Sequence, residues 1–114
     1  MKSIQFQHGG KGYSLVLNPQ IEKTALEGVV CASGGAELFR IRYAIAPELQ
    51  KKWKLDDEMS FHFLARFAQF HAQVRAANGD LTGRDEYLLD ADFSAVQPSA
   101  VVQKIEKEWQ NLQG

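Results

Sequence analysis

The sequence predicts an α+β domain: an antiparallel sheet of four to five strands, begun by a meander of two hairpins, with two long amphipathic helices packed on one face. Three observations predict it. Residues 4–45 alternate apolar and polar side chains around glycine-rich turns; residues 59–77 and 98–112 repeat apolar positions every three to four residues; and one more alternating run lies between those two stretches. With 114 residues, the chain has the length of a single domain, so residues 1–114 are expected to share one core.

In the first hairpin Ile4, Phe6 and His8 alternate with Gln5 and Gln7, and after Gly9-Gly10-Lys11-Gly12 the residues Tyr13, Leu15 and Leu17 share a face. The second hairpin turns at Gly34-Gly35. A two-residue loop there pairs Ser33 with Ala36, Val30 with Phe39 and Leu26 with Tyr43. It gathers Thr24, Leu26, Val30, Phe39, Ile41, Tyr43 and Ile45 on the inner face. The same register sets Glu27 opposite Arg42 on the outer face, a pairing that contributes about 0.2–1 kcal/mol.

Pro47 ends the sheet region, residues 48–53 suit a short helix, and Asp56-Asp57-Glu58 supply a cap and favourable first-turn charge for the next helix. Between Met59 and Ala77 the inner stripe is Phe63, Phe67, Phe70 and Val74, and the outer stripe is His62, Arg66, Gln69 and Gln73. Asn78-Gly79 stops this helix. Tyr87, Leu89, Ala91 and Phe93 alternate with Leu88, Asp90 and Asp92 as a fifth strand. Pro98 opens a last helix with Val101, Val102, Ile105, Trp109 and Leu112 inward.

Thirteen basic residues against fourteen acidic ones leave a net charge of −1, so there is no basic excess and a nucleic-acid partner is not expected. The cluster Lys51-Lys52-Trp53-Lys54 is offset by the acids that follow it. Cys31 is the sole cysteine, which excludes an intramolecular disulfide and a multi-thiolate metal site. With no apolar leader and no run of 18 apolar residues, a cytoplasmic location without a membrane partner is expected.

Candidate chemistry is sparse. His8-Gly9-Gly10-Lys11-Gly12 lacks P-loop spacing and runs into a strand. His62 and His71, nine residues apart, fall on opposite sides of one helix and cannot share a metal. Asn78, Asp80, Thr82 and Asp85 imitate a calcium loop, but Leu89 stands where the bidentate glutamate belongs, so a polar turn is expected, with no metal and no cofactor. Asp90 and Asp92 on one strand face would be neighbours, suited to paired carboxylates or to a solvated edge.

These features predict a non-catalytic protein-interaction or adaptor module that self-associates, as a homodimer or with a protein partner. It would use Val29, Cys31, Leu38, Arg40 and Arg42 on the outer sheet face, beside Ala25 and Ala44. The alternative is a small-molecule-binding protein or enzyme with a pocket between sheet and helices. In that reading His71, Tyr43 and Tyr13 are the inward polar groups.

Overall fold

A computed structural model describes residues 2–20 and 25–113. Strands β1 (Lys2–His8), β2 (Lys11–Gln20), β3 (Ala25–Ala32) and β4 (Glu37–Ile45) form an antiparallel meander, and β5 (Arg84–Leu89) completes a sheet ordered β1-β2-β3-β4-β5. The tip of the first hairpin is Gly9-Gly10, with φ of 60° and 78°. Two successive positive φ values define the turn whose twist matches its strands, and only glycine adopts them without cost. The turn sets Phe6 beside Tyr13, and their rings stack at 5.2 Å.

The second hairpin has the expected register along most of its length: Val30 faces Phe39, Glu27 faces Arg42 and Leu26 faces Tyr43. Its turn differs. The loop closes on Ala32 and Ala36 (N···O 2.8 Å), with Gly35 N–H donating to Ala32 O. The loop is therefore three residues, Ser33-Gly34-Gly35, and not the two expected. The additional loop residue is offset by a bulge, where Cys31 faces Glu37 and Leu38 has no partner. Of the expected inner face, Leu26, Val30, Phe39, Ile41, Tyr43 and Ile45 are all buried; Thr24 lies outside the described residues.

Helix α1 (Pro47–Lys52) starts with proline in its first turn, and α2 (Asp57–Ala77) is capped by Asp56, whose carboxylate accepts from Met59 N–H at 2.7 Å. At 1.5 Å per residue, the 21 residues of α2 cover about 32 Å. The nine residues of β4 cover about 30 Å. The helix thus returns the chain to the end where β4 began, and β5 runs parallel to β4, with Arg40 beside Arg84 and Tyr43 beside Tyr87. The expected all-antiparallel sheet is mixed for this reason. The fifth strand also ends sooner than its alternation suggests. Asp90 accepts from Asp92 N–H (3.0 Å) and opens a 3-10 turn at Ala91–Phe93, so Asp90 and Asp92 do not share a strand face.

Helix α3 (Pro98–Gln113) packs along α2. Trp109 meets Phe6 of β1 edge-on at 6.4 Å, while Ile105 and Glu108 share a cleft with Tyr87 of β5. The outer strands of a flat five-stranded sheet lie about 19 Å apart. Here both approach one helix, so the sheet curls around α2 and α3 closes the gap. Curling corrects the expected outer stripe of α2. His62 and Arg66 are exposed, but Gln73, one turn from the helix end, is only 6% exposed. A helix surrounded on all sides has no polar face left. The last turn of α3 runs past the core, and Leu112 is 37% exposed where an inward position is expected.

Candidate functional site

Beyond the apolar core, one buried polar network links three elements. Tyr43 is fully buried on β4, where its neighbours in the ladder are Leu26 and Tyr87. Its hydroxyl lies 2.8 Å from Asp85 Oδ2 and 2.5 Å from His71 Nδ1. Asp85 is on the inner face of β5 and His71 is on α2, with 3.4 Å between Nδ1 and Oδ2. A carboxylate only accepts, so the one phenolic hydrogen goes to Asp85. The phenolic oxygen must then accept from His71, which places the imidazole hydrogen on Nδ1 and leaves the Nε2 lone pair free. His71 is 27% exposed, and no described residue bonds Nε2.

The electrostatics favour that neutral state. Burial lowers the pKa of His71 below its usual value; Asp85 opposes this, the Arg75 charge assists it, and Glu108 opposes it more weakly. Tyr43 is held well above the usual phenol range, first by burial and then by the charge and hydrogen bond of Asp85. The hydroxyl therefore remains protonated and fixes the ring of His71.

His71 stands where two clefts meet. One, of about 390 Å³, is walled by Phe67, Tyr87, Phe93, Val101 and Ile105 and carries Asp92, Lys104 and Glu108. The other, of about 570 Å³, is more polar and runs past Arg75, Asp80, Arg84 and Asp85. Ligand clefts of this size and mixed character take small molecules. A third groove of about 600 Å³ lies between the N-terminal halves of α2 and α3, over Leu55, Phe63 and Val102, and His71 does not line it.

Of the expected pocket residues, His71 and Tyr43 come together and Tyr13 does not. Tyr13 pairs with Ala32 on β3, six residues along that strand from the partner of Tyr43 and two strands away, and it stacks on Phe6. Asp85 is the site residue that the sequence places elsewhere, in a polar turn. Extending the alternation Leu89, Tyr87 back one step puts Asp85 inward, which is the signal that locates it.

The calcium-loop candidates are scattered. Asn78 ends α2, Asp80 pairs with Arg75 at 3.2 Å, Thr82 O accepts from the same guanidinium, and Asp85 turns to Tyr43. Arg75, lying 4.3 Å from the centre of the Phe39 ring, supplies the positive charge that a cation would bring. Among the described residues no cluster of metal-ligating side chains forms. Trp53 is an anchor: it donates to Val96 O at 2.9 Å and meets Phe63 edge-on.

On the outer sheet face, Val29 and Cys31 are half-buried and lie outside the core cluster, and Arg42 meets Glu27 at 3.6 Å while Arg40 meets Glu37. Leu38 departs from them: at the bulge it packs against the core instead of facing outward. Ala25 is fully buried. No helix among the described residues is long and apolar enough to cross a membrane. The chain matches no protein-family model, no curated protein and no solved structure.

Proposed function

We propose that this protein binds a small molecule in the cleft between β5, α2 and α3, with His71 Nε2 as the acceptor that the ligand meets. The reading that the sequence puts second thus comes first. The observation supporting it is the asymmetry of His71: Nδ1 is held by Tyr43, itself held by Asp85, while Nε2 is open at the wall of two clefts. A histidine serving only as core filler has no need of a buried tyrosine, itself held by a half-buried carboxylate, to fix its tautomer. A binding or proton-accepting histidine does.

Neither cleft is lined by a serine, threonine or cysteine among the described residues, and the fixed tautomer of His71 suits binding and proton transfer. In a turnover reaction, a ligand X–H proton would pass to Nε2, and the imidazolium formed would be stabilised by Asp85, 3.4 Å from Nδ1. A fragment screen by ligand-observed NMR tests the reading, with the His71 imidazole resonances as reporter. Hits should move those resonances and be lost in His71→Gln and Tyr43→Phe variants that keep their fold. Hits that leave His71 unmoved, or survive both variants, would contradict it.

A second reading rests on the outer sheet face, where Val29, Cys31 and the exposed Leu88 sit among opposite charges: Glu27 with Arg42, Glu37 with Arg40, Arg84 with Glu86. Interleaved charges of both signs complement a second copy of the same face turned through 180°, which supports a homodimer. Val29→Glu should yield a monomer in sedimentation velocity; a wild-type protein that is monomeric throughout would end this reading. A cytoplasmic location belongs to the proposal as well, resting on the single unpaired thiol of Cys31.

A further inference from the structure

The smaller of the two clefts at His71 has a composition that selects among ligands. Three of its walls are aromatic and steeply inclined to one another: Phe67 and Tyr87 at 5.7 Å and 53°, Tyr87 and Phe93 at 6.0 Å and 63°. Rings inclined to one another around one space border it with aromatic surface, and it is the ring faces, which carry the negative end of the quadrupole, that attract a cation. Asp92 and Glu108 line the same space, against one cation, Lys104. The lining therefore carries one net negative charge, while behind the imidazole the Asp85 carboxylate and the Arg75 guanidinium act on His71 in opposite senses. Asp92, Lys104 and Glu108 are all exposed; the Lys104 stem is the longest of the three and lets its ammonium move farthest into water.

We propose that this cleft takes an organic cation, specifically a methylated or quaternary ammonium group. The inference deepens the small-molecule reading and rests on it; a quaternary nitrogen has no hydrogen to give, so the donor to His71 Nε2 is another group of the same ligand, as the hydroxyl is in choline. An anionic ligand would meet two carboxylates with only Lys104 to hold it. A neutral apolar ligand would leave Asp92 and Glu108 without a role. A methylated ammonium matches both halves of the lining: its methyl groups contact the rings, and its positive charge is attracted by their faces and by the acids.

The test uses the full chain and choline as the probe, compared with 3,3-dimethyl-1-butanol, the neutral isostere in which carbon replaces nitrogen. Titrations are followed by NMR at constant ionic strength, because exposed charges are screened by added salt. Choline should bind about tenfold more tightly than the alcohol, with its methyl protons shifted upfield by the rings. Tyr87→Leu and Glu108→Gln should each reduce that preference severalfold. Both residues are exposed and neither side chain hydrogen-bonds to those of Tyr43, Asp85 or His71, although the Tyr87 ring meets those of Tyr43 and His71 at 6.3 Å; the fold is therefore expected to persist, and a thermal melt of each variant checks it. Equal binding of choline and alcohol would overturn the cation proposal while leaving a small-molecule cleft. No choline binding up to about 50 mM, or binding that both variants retain, would overturn it as well; the fragment screen at His71 judges the broader reading separately.

Discussion

Tyr43 and Asp85 are joined by a 2.8 Å hydrogen bond although the β4–β5 register sets Asp85 beside Ile41 and Tyr43 beside Tyr87. The bond is diagonal, across one step of a parallel ladder. It ties the edge strand β5 to the buried centre of the sheet and draws His71 of α2 into the same cluster. The parallel return of the chain makes this possible: an antiparallel β5 would present its residues in reverse order beside Tyr43.

Removing the phenolic hydroxyl should expose how much the network contributes. Tyr43→Phe keeps the ring contacts with Phe67 and His71 and removes two hydrogen bonds to half-buried partners. We expect a loss of about 1.5–3 kcal/mol in urea denaturation, the range for a hydrogen bond to a charged group. A change below about 0.5 kcal/mol, the low end even for a bond between neutral groups, would mean that the contact has no energetic weight.

The depressed pKa of His71 makes stability depend on pH. The unfolded chain takes up a proton near the ordinary value of about 6.5, whereas the folded chain takes it up only at lower pH. Between these values the unfolded state holds more protons. The stability that neutral His71 contributes is complete above about pH 6.5 and falls as pH drops toward the folded pKa, by at most about 1.4 kcal/mol per pH unit. The groups facing the ring are Tyr43 of β4, Asp85 of β5, Arg75 of α2 and Glu108 of α3. Denaturation curves of wild type and His71→Gln between about pH 4.5 and 7.5 should diverge at the acid end, with the variant less sensitive. Parallel curves would contradict the account.

Phe67 is 7% exposed, with ring contacts to Tyr43, Phe63, His71 and Tyr87. Phe67→Ala should cost about 3–5 kcal/mol, as large-to-small changes of buried aromatics do. Chemical denaturation checks this, and a loss below about 1 kcal/mol would place Phe67 outside the core.

Gly28 is a test of close approach. A Cβ there would lie 2.9 Å from Ile41 Cγ1 and 3.1 Å from Leu17 Cδ2, and both neighbours are buried. Gly28→Val should destabilise by about 1–3 kcal/mol through overpacking. Pairing Gly28→Ala with Ile41→Ala should cost less than the two single changes summed, since removing Cγ1 and Cδ1 of Ile41 gives the new methyl room. Additive costs would show that the two positions do not share that space.

The elements most legible in the sequence were those whose pattern repeats. The inner faces of β3 and β4 followed from alternation, and even the register survived a wrong turn, because the third loop residue and the bulge at Leu38 cancel. That compensation also hid the direction of Leu38, since a bulge leaves no mark in an alternating run. The direction of β5 depends on the length of α2 relative to β4, a tertiary property. Gln73 read as outward because period alone assumes one solvent face, whereas the curled sheet and α3 leave none at that end of α2. In the site, His71 and Tyr43 were visible as polar residues on apolar faces. Tyr13 met the same criterion and lies at the far end of the sheet, so the criterion selects inward residues without locating them. Asp85 was obscured by its acidic neighbours.

The central claim is that His71 is held as a neutral imidazole with its hydrogen on Nδ1 and its Nε2 open to the cleft. The ¹⁵N chemical shifts of the imidazole, followed through a pH titration of the wild-type protein, test it most directly. The Nδ1–H tautomer is expected at neutral pH, with a midpoint below about 6.5. An Nε2–H tautomer, or a ring still charged at neutral pH, would contradict it.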